Sequence, residues 1–188
     1  GIPTRAHRPS RVLRENPASH CLLTLAQLAH PAWGMKPDTF DVATADRWGK
    51  AYDYYLRAWL PPRKDAAILD VACGAGKLLH FFKRRGYSNL TGVDLSPEQV
   101  ALARQVIPDI VQGDVLPFLE ARPEHFDLIT GLDIIEHLEK PVVLQFLEAC
   151  FRAHKPAEPL TLETVHANTP LALPILYGDF THESCFTP

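Results

Sequence analysis

The chain has few cysteines and no long apolar run. Its 188 residues include four cysteines, and no two of them form a Cys-x-x-Cys pair. We therefore expect reduced thiols without a disulfide framework or a metal site, as in cytoplasmic proteins. A run of eighteen apolar residues and a signal-peptide core are both missing, so we expect a soluble chain without a membrane span.

Two phosphate-binding motifs are incomplete. The turn that contains Gly74 and Gly76 has Leu79 where the third glycine of the dinucleotide fingerprint G-x-G-x-x-G belongs. The P-loop motif also fails, because Leu78 replaces the magnesium-binding hydroxyl and Val71 replaces the first glycine. A pyrophosphate ligand is therefore not favoured.

What is present is an apolar run at 68–71 that leads into the glycine turn. The run predicts a buried parallel strand, and the turn predicts a tight loop before a helix, which directs backbone N–H groups at a nucleotide-like ligand. Asp70 lies four residues before Gly74, and its carboxylate would repel phosphates and attract an ammonium group. A glycine turn without a ligand is the alternative.

The motif D-x-x-C-G-x-G, from Asp70 to Gly76, resembles the cofactor loop of class I S-adenosylmethionine-dependent methyltransferases. The resemblance implies a doubly wound, Rossmann-like α/β sheet that binds S-adenosylmethionine and releases S-adenosylhomocysteine. It also implies five cofactor-binding residues in this loop, namely Asp70, Cys73, Gly74, Ala75 and Gly76.

Two later strands also end near an acid. The second predicted strand, 89–94, ends at Asp94, 18 residues after Gly76, near the spacing at which a carboxylate binds ribose hydroxyls in doubly wound folds. The third, 110–115, contains Asp114, and the resemblance implies a hydrogen bond from the adenine amino group there. Each acid alone can be a turn former or a helix cap. The other cofactor contacts that the resemblance implies are Leu95, Gly113 and Val115.

A second motif follows the fourth predicted strand, 126–130. The segment from Phe126 to His137 resembles the F-D-L-I-x-x-x-D-x-I-E-H pattern of many small-molecule methyltransferases. The resemblance implies that Leu132 contacts the methionine part of the cofactor. His137 is a candidate general base or metal ligand, because histidine titrates near neutral pH. The alternative is that it marks a helix start. The candidate acceptor-binding residues here are Asp133 and Glu136.

The last twelve residues, 177–188, resemble the G-D-x-T-H-E segment that follows the fifth strand in some bacterial methyltransferases. The resemblance implies that Asp179 and Glu183 belong to the acceptor pocket. His182 is then a second candidate base. A surface loop is the alternative reading of this segment.

Ahead of the first strand, four aromatic residues recur at helical spacings of three and four. They are Trp48, Tyr52, Tyr55 and Trp59. This spacing predicts one packed helix face. By the resemblance, such a helix covers the cofactor, and Tyr52 or Tyr55 reaches its carboxylate.

These patterns divide the chain into three parts. Residues 1–37 form a basic arm with a net charge of +4, residues 38–62 a helical lead-in, and residues 63–188 the core. A helix at 141–155 and a strand at 160–165 complete a sheet of order 3-2-1-4-5. The family's C-terminal 7-6 hairpin has no counterpart, so we expect a truncated core, with an exposed sheet edge that supports a homodimer.

The resemblance implies methyl transfer to an oxygen of a small hydroxylated metabolite or sugar, with a small-molecule acceptor as partner. The protein then needs to position the acceptor and remove a proton. A noncatalytic S-adenosylmethionine-binding scaffold is the first alternative. A nucleic-acid methyltransferase is less favoured, because residues 131–134 read Gly-Leu-Asp-Ile where an N-P-P-Y-like motif is expected. Dispersed basic residues in the arm are also more typical of a solvated segment than of a nucleic-acid arm.

Overall fold

The computed structural model describes residues 39–156 and 160–163. Within them, five parallel strands form one sheet in the order β3-β2-β1-β4-β5. The strands are β1 Ala67–Val71, β2 Asn89–Asp94, β3 Ile110–Gln112, β4 Leu128–Leu132 and β5 Leu160–Glu163. The predicted doubly wound, Rossmann-like order is confirmed.

Helices connect the strands and flank the sheet. In the described part of the chain they are α1 Val42–Leu56, α2 Lys77–Arg84, α3 Pro97–Ala103, α4 Val115–Glu120 and α5 Lys140–Ala153, with a 3₁₀ turn at Ile135–His137. The helix predicted at 141–155 corresponds to α5. None of the described helices is long and apolar enough to cross a membrane.

Strand β1 lies at the centre of the sheet and is buried on both faces. Ile68 and Leu69 are each 0% exposed and belong to two different hydrophobic clusters. Side chains alternate along a strand, so the continuous apolar run serves both clusters. Asp70 interrupts this run near the carboxyl end of β1, where it is buried at 3% exposure.

Asp127 joins three segments of the chain at the opposite end of the sheet. Its carboxylate accepts hydrogen bonds from the Ala67 N–H at 2.7 Å, the Lys155 ammonium at 2.9 Å and the Arg63 guanidinium at 3.3 Å. Burial raises the pKa of this carboxyl, but these donors outweigh burial and hold the pKa below its usual value.

The prediction for the end of the third strand is wrong. Strand β3 ends at Gln112, whereas the sequence interpretation extended it to Val115. Asp114 instead begins α4, because its Oδ1 accepts a hydrogen bond from the Leu116 N–H at 3.0 Å. This is N-terminal capping, in which a side-chain oxygen satisfies a backbone donor at the start of a helix.

The fourth strand begins later than predicted. It starts at Leu128, while the backbone of Phe126 forms an isolated bridge with His154 at the end of α5. This difference lies within the usual uncertainty of element boundaries.

The prediction of a packed aromatic face on α1 is also wrong. Trp48 and Tyr55 are 51% and 60% exposed, and Trp59 lies beyond the helix at 57% exposure. Tyr52 alone of the four packs onto the core, with its ring 5.8 Å from that of Phe81. Smaller residues occupy the face that contacts α2, so the large rings are displaced from it. These smaller residues are Ala45, Gly49 and Leu56.

Several predictions concern residues outside the described ranges. They are the basic arm at 1–37, the end of the fifth strand at 164–165, and the acceptor-pocket residues Asp179, His182 and Glu183.

Candidate functional site

A cavity of about 480 Å³ opens at the carboxyl ends of β1 and β4. These two strands flank the point where the strand order reverses, and ligands of open α/β sheets bind at this point. The lining comes from α1, the β1–α2 loop, α3 and the end of β4. The residues are Trp48, Tyr52, Asp70, Ala72, Cys73, Gly74, Ala75, Lys77, Leu78, Gln99, Leu132 and Asp133.

The β1–α2 loop turns sharply through left-handed backbone conformations. Ala72, Gly74 and Gly76 have φ angles of +52°, +51° and +82°. At Gly76, a Cβ atom would lie 3.2 Å from the Cα of Ala103, so glycine also permits α2 and α3 to pack closely. The alanine at position 72 adopts a conformation that side chains disfavour, and such strain is common where a loop forms a ligand site.

Asp94 connects this loop to α3. Its Oδ2 accepts a hydrogen bond from the Gly74 N–H, and its Oδ1 accepts one from the Ser96 N–H, both at 2.8 Å. Burial raises the pKa of Asp94, and the N–H donors oppose that rise. A carboxylate has about four lone-pair positions, so Asp94 retains acceptor capacity for a ligand.

Asp70 places a buried acid in the cavity wall. Its Oδ1 lies 2.9 Å from the hydroxyl of Thr130 on the neighbouring strand. Burial raises the pKa of Asp70 to about 7, and the charge of Asp94 adds to the rise, while the Thr130 hydrogen bond opposes it. The Asp70 carboxyl can therefore gain or lose a proton near neutral pH.

Cys73 lines the same cavity as an unreactive thiol. It is 8% exposed. Burial, together with the nearby acids Asp70 and Asp94, raises the pKa of the thiol, so the protonated form persists at neutral pH. Its contribution to the site is packing and shape.

The rest of the wall combines aromatic rings with charge. Trp48 and Tyr52 of α1 stack with their ring centroids 6.2 Å apart. Lys77, the first residue of α2, and Asp133, which follows β4 with a φ angle of +53°, add one positive and one negative charge. The cavity lining thus combines two aromatic rings with one basic and one acidic side chain, in addition to Asp70.

The structure brings seven of the predicted site residues to this cavity: Tyr52, Asp70, Cys73, Gly74, Ala75, Leu132 and Asp133. Tyr55, the predicted alternative to Tyr52, does not line it. It places the remaining described ones outside the lining: Gly76, Asp94, Leu95, Gly113, Asp114, Val115, Glu136 and His137. Glu136 is only 1% exposed, within the 3₁₀ turn, and His137 is half-buried there. The predicted acceptor residue Glu136 therefore lies within the core.

Sequence reasoning missed Lys77 and Gln99 as lining residues. Lys77 directly follows Gly76, so its place at the start of the helix offered a local signal. Gln99 lies on α3 and reaches the cavity through the packing of that helix, which no local pattern reveals. Among residues 39–156 and 160–163, no group of three or more metal-ligating side chains is present.

The reversed strand order, the glycine turn and the acid that follows β2 define a Rossmann-like domain that binds a nucleotide-like ligand. Comparison with known proteins narrows this class. Residues 68–157 match the family model described as a methyltransferase domain. This region resembles class I methyltransferase domains, whose cofactor is S-adenosylmethionine.

Curated relatives match the same region. The ubiquinone biosynthesis O-methyltransferase of Pseudomonas aeruginosa strain UCBPP-PA14 is 32% identical over 119 residues, which cover 58% of this chain and 50% of that protein. The protein of the same name from Hahella chejuensis is 31% identical over 118 residues, which cover 60% and 47%. The chain therefore spans about half the length of the curated relatives it matches.

Solved structures share the fold. A SAM dependent methyltransferase from Archaeoglobus fulgidus superposes with a TM-score of 0.65 at 22% identity, covering 79% of this chain and 69% of that chain. An S-adenosylmethionine dependent methyltransferase from Mesorhizobium loti superposes with a TM-score of 0.53 at 28% identity, covering 62% and 53%.

Proposed function

We propose that the protein is an S-adenosylmethionine-dependent methyltransferase that methylates an oxygen of a small hydroxylated metabolite or sugar. The observation that carries the proposal is the charge of the cavity lining, which has two acids, Asp70 and Asp133, and one base, Lys77. The methionine end of the cofactor has two cationic groups, the ammonium and the sulfonium, and one carboxylate. Opposite charges at short range attract each other.

Different cavity residues bind different groups at the methionine end of the cofactor. Asp70 accepts the ammonium group, and Lys77 pairs with the carboxylate. Leu132 lines the path of the sulfonium with its backbone, while Cys73 and Ala75 shape the loop around it. These residues fit the group because two acids and one base line the same cavity.

The nucleoside end extends beyond the cavity toward β2 and β3. Asp94 has acceptor capacity left for the ribose hydroxyls, because two of its lone pairs are used by Gly74 and Ser96. Asp114 uses Oδ1 to cap α4 and retains Oδ2 for the adenine amino group. The neighbouring backbone completes this part of the site at Gly76, Leu95, Gly113 and Val115.

The bound cofactor supplies both the methyl group and its leaving group. The chain holds the acceptor in line with that methyl group and removes a proton from the acceptor hydroxyl. Asp133 binds the acceptor at the cavity, and His137 is the base nearest to it along the chain. A general base typically adds about 10²- to 10⁴-fold to the rate.

Four further residues remain part of the acceptor proposal. His182 is the second candidate base, and Asp179, Glu183 and Glu136 are candidate acceptor contacts. Oxygen as the methyl acceptor is supported by the names of the curated relatives, which are O-methyltransferases. Cys73 and Cys150 of this chain are buried free cysteines, which supports a reducing compartment such as the cytoplasm.

One observation favours a second function, a noncatalytic S-adenosylmethionine-binding protein. Neither His137 nor Glu136 lines the cavity. A protein of this kind would bind the cofactor without turnover, so methyl transfer to a hydroxylated acceptor separates the two functions.

The cofactor assignment is tested by thermal unfolding with S-adenosylhomocysteine, which lacks the transferable methyl group. We expect the product to raise the melting temperature, since a ligand at about 100 times its Kd stabilises the folded state by about 2.7 kcal/mol. Asp94→Ala should abolish the rise, because it removes the ribose acceptor and releases the Gly74 and Ser96 N–H groups.

Asp109→Ala is the matched control. Asp109 precedes β3 at the opposite end of the sheet, where it accepts a hydrogen bond from Thr91 at 2.7 Å. This variant should keep the full ligand-induced rise. A folded wild-type protein whose melting temperature does not respond to the ligand would refute the cofactor assignment.

A further inference from the structure

Thr130 is a buried polar residue that bridges the two central strands. It is 0% exposed and lies on β4 in register with Asp70 on β1. Its Oγ1 is 2.9 Å from Asp70 Oδ1 and 3.2 Å from the carbonyl oxygen of Leu69. The hydroxyl therefore contacts Asp70, which lines the cavity, whereas Thr130 itself is not part of the cavity lining.

The number of available protons gives this contact its significance. A threonine hydroxyl has one proton to donate and two lone pairs. A carboxylate can only accept hydrogen bonds, so Thr130 donates its proton to Asp70 when the acid is charged. When it donates to Leu69, the remaining hydrogen bond requires a proton on Asp70. The hydrogen bond to the carboxylate is the stronger of the two, because a charged acceptor strengthens a hydrogen bond, so Thr130 favours the charged form of Asp70.

Titratable groups of several elements surround Asp70. The charge of Asp94 on β2 acts on it, and the Cys73 thiol lies in the loop that follows β1. Lys77, at the start of α2, lines the same cavity. Asp133 and Tyr52 line the same cavity from β4 and α1. Lys77 is the basic residue of this lining. The entry of a cationic ligand adds a second positive charge to the cavity and shifts the protonation equilibrium of Asp70 strongly toward the carboxylate form.

We infer that Thr130 is a positioning residue that acts through Asp70, holding its carboxyl group toward the cavity and favouring the charged form, so that cofactor binding depends on pH. The inference rests on the proposed function, because it takes the ammonium group of the cofactor as the partner of Asp70. Thr130 itself touches neither cofactor nor acceptor.

The sign of the pH dependence follows from the acid. In the free protein the pKa of Asp70 is about 7, so most of the acid is neutral at pH 6 and charged at pH 8. Binding of an ammonium group requires the charged form. Affinity should therefore rise as the pH increases toward about 7 and level off above it, and binding at pH 6 should release a proton.

Isothermal titration calorimetry with S-adenosylhomocysteine between pH 5.5 and 8.0 tests the inference. In Thr130→Val, the midpoint of the affinity profile should move up by about 1 pH unit, with about fivefold weaker binding at pH 7 and about tenfold weaker binding at pH 5.5, because a hydrogen bond to the charged form is lost. Thr130→Ser keeps the hydroxyl and should restore the wild-type midpoint.

Thr91→Val is the matched control, since its hydroxyl contacts Asp109 at the far end of the sheet. It should reproduce the wild-type profile. Titrations of the wild type in buffers of different ionisation enthalpy measure proton release directly, so the inference can be judged even if Thr130→Val does not fold.

Three results would overturn the inference: wild-type affinity and proton release that do not change with pH, superimposable profiles for wild type and Thr130→Val, or a Thr130→Ser profile that stays shifted. All three leave the proposed function intact, because the ligand still binds. A folded wild type that binds no S-adenosylhomocysteine at any pH would overturn the proposed function and this inference together.

Discussion

At the scale of single residues, Asp70 combines a stability cost with a binding role. Its carboxyl is 3% exposed, and Thr130 is its hydrogen-bonding partner from β4. Burial raises its pKa from the ordinary value of 3.8 to about 7. The same charge that attracts an ammonium group therefore opposes folding when no ligand is bound.

The effect on stability has a definite sign. An acid whose pKa is higher in the folded state binds more protons when folded, so its contribution to stability is complete below about pH 4 and is lost as the pH rises through about 7. We expect Asp70→Asn, which cannot ionise, to be more stable than the wild type at pH 8. The upper limit of the difference is on the order of 4 kcal/mol.

Chemical denaturation of the ligand-free protein at pH 5 and pH 8 measures this difference. The advantage of Asp70→Asn over the wild type should grow from pH 5 to pH 8. Asp133→Asn changes an exposed acid of the same cavity and should follow the wild-type pH dependence. A constant difference between wild type and Asp70→Asn at the two pH values would contradict the prediction.

At the scale of elements, the approach of β2 to its neighbours depends on a missing side chain. A Cβ atom at Gly92 would lie 2.7 Å from Cδ1 of Ile110, 2.8 Å from Sγ of Cys73 and 2.8 Å from Cδ1 of Leu79. These three atoms belong to β3, the cofactor loop and α2, and all three residues are buried. The packing of the loop against the sheet therefore requires glycine at this position.

Gly92→Ala should lower the free energy of unfolding by about 1–3 kcal/mol, because the added methyl group overpacks a filled region. It should also weaken cofactor binding, since Cys73 must move. Urea denaturation followed by circular dichroism measures the first effect.

Gly113→Ala is the control for that experiment. A Cβ atom at Gly113 meets nothing within 4 Å, and the residue has no positive φ angle. Its free energy of unfolding should stay within about 0.5 kcal/mol of the wild type. Equal losses in the two variants would show that steric crowding at Gly92 is not the cause.

At the scale of the whole molecule, the sheet has two edges within the described residues. Strand β5 pairs with β4 on one side, and β3 pairs with β2 at the other end. An edge strand presents unpaired backbone N–H and C=O groups, which can pair with a second chain. We propose that the chain forms a homodimer through its exposed sheet edge.

Sedimentation velocity over a range of protein concentrations tests the dimer. We expect the weight-average sedimentation coefficient to rise with concentration toward that of a two-chain species. A single one-chain species throughout the range would contradict the prediction. The variant Thr161→Lys places a lysine on β5 and tests the edge itself. It should favour the monomer, because charged side chains discourage edge pairing.

Much of the fold could be predicted because its signals are local. The apolar run before Asp70 specified β1, and Asn89 to Asp94 specified β2. The local pattern was ambiguous after β3, where Asp114 suits both a strand end and a helix cap. In the structure Asp114 caps the helix, because its carboxylate accepts a hydrogen bond from the Leu116 N–H, which has no partner within the first turn of the helix.

The sequence by itself determined the element types, the cofactor loop and the acids beside it, because strand periodicity, glycine turns and caps depend on neighbouring residues. Only the tertiary structure decided which of these residues share a cavity. It brought Gln99 to the cavity that Asp70 lines, left the Trp48 ring half-exposed, and placed the Thr130 hydroxyl against Asp70. The reason is physical: these contacts join strands and helices that are distant in the chain, and their geometry follows from packing across the sheet.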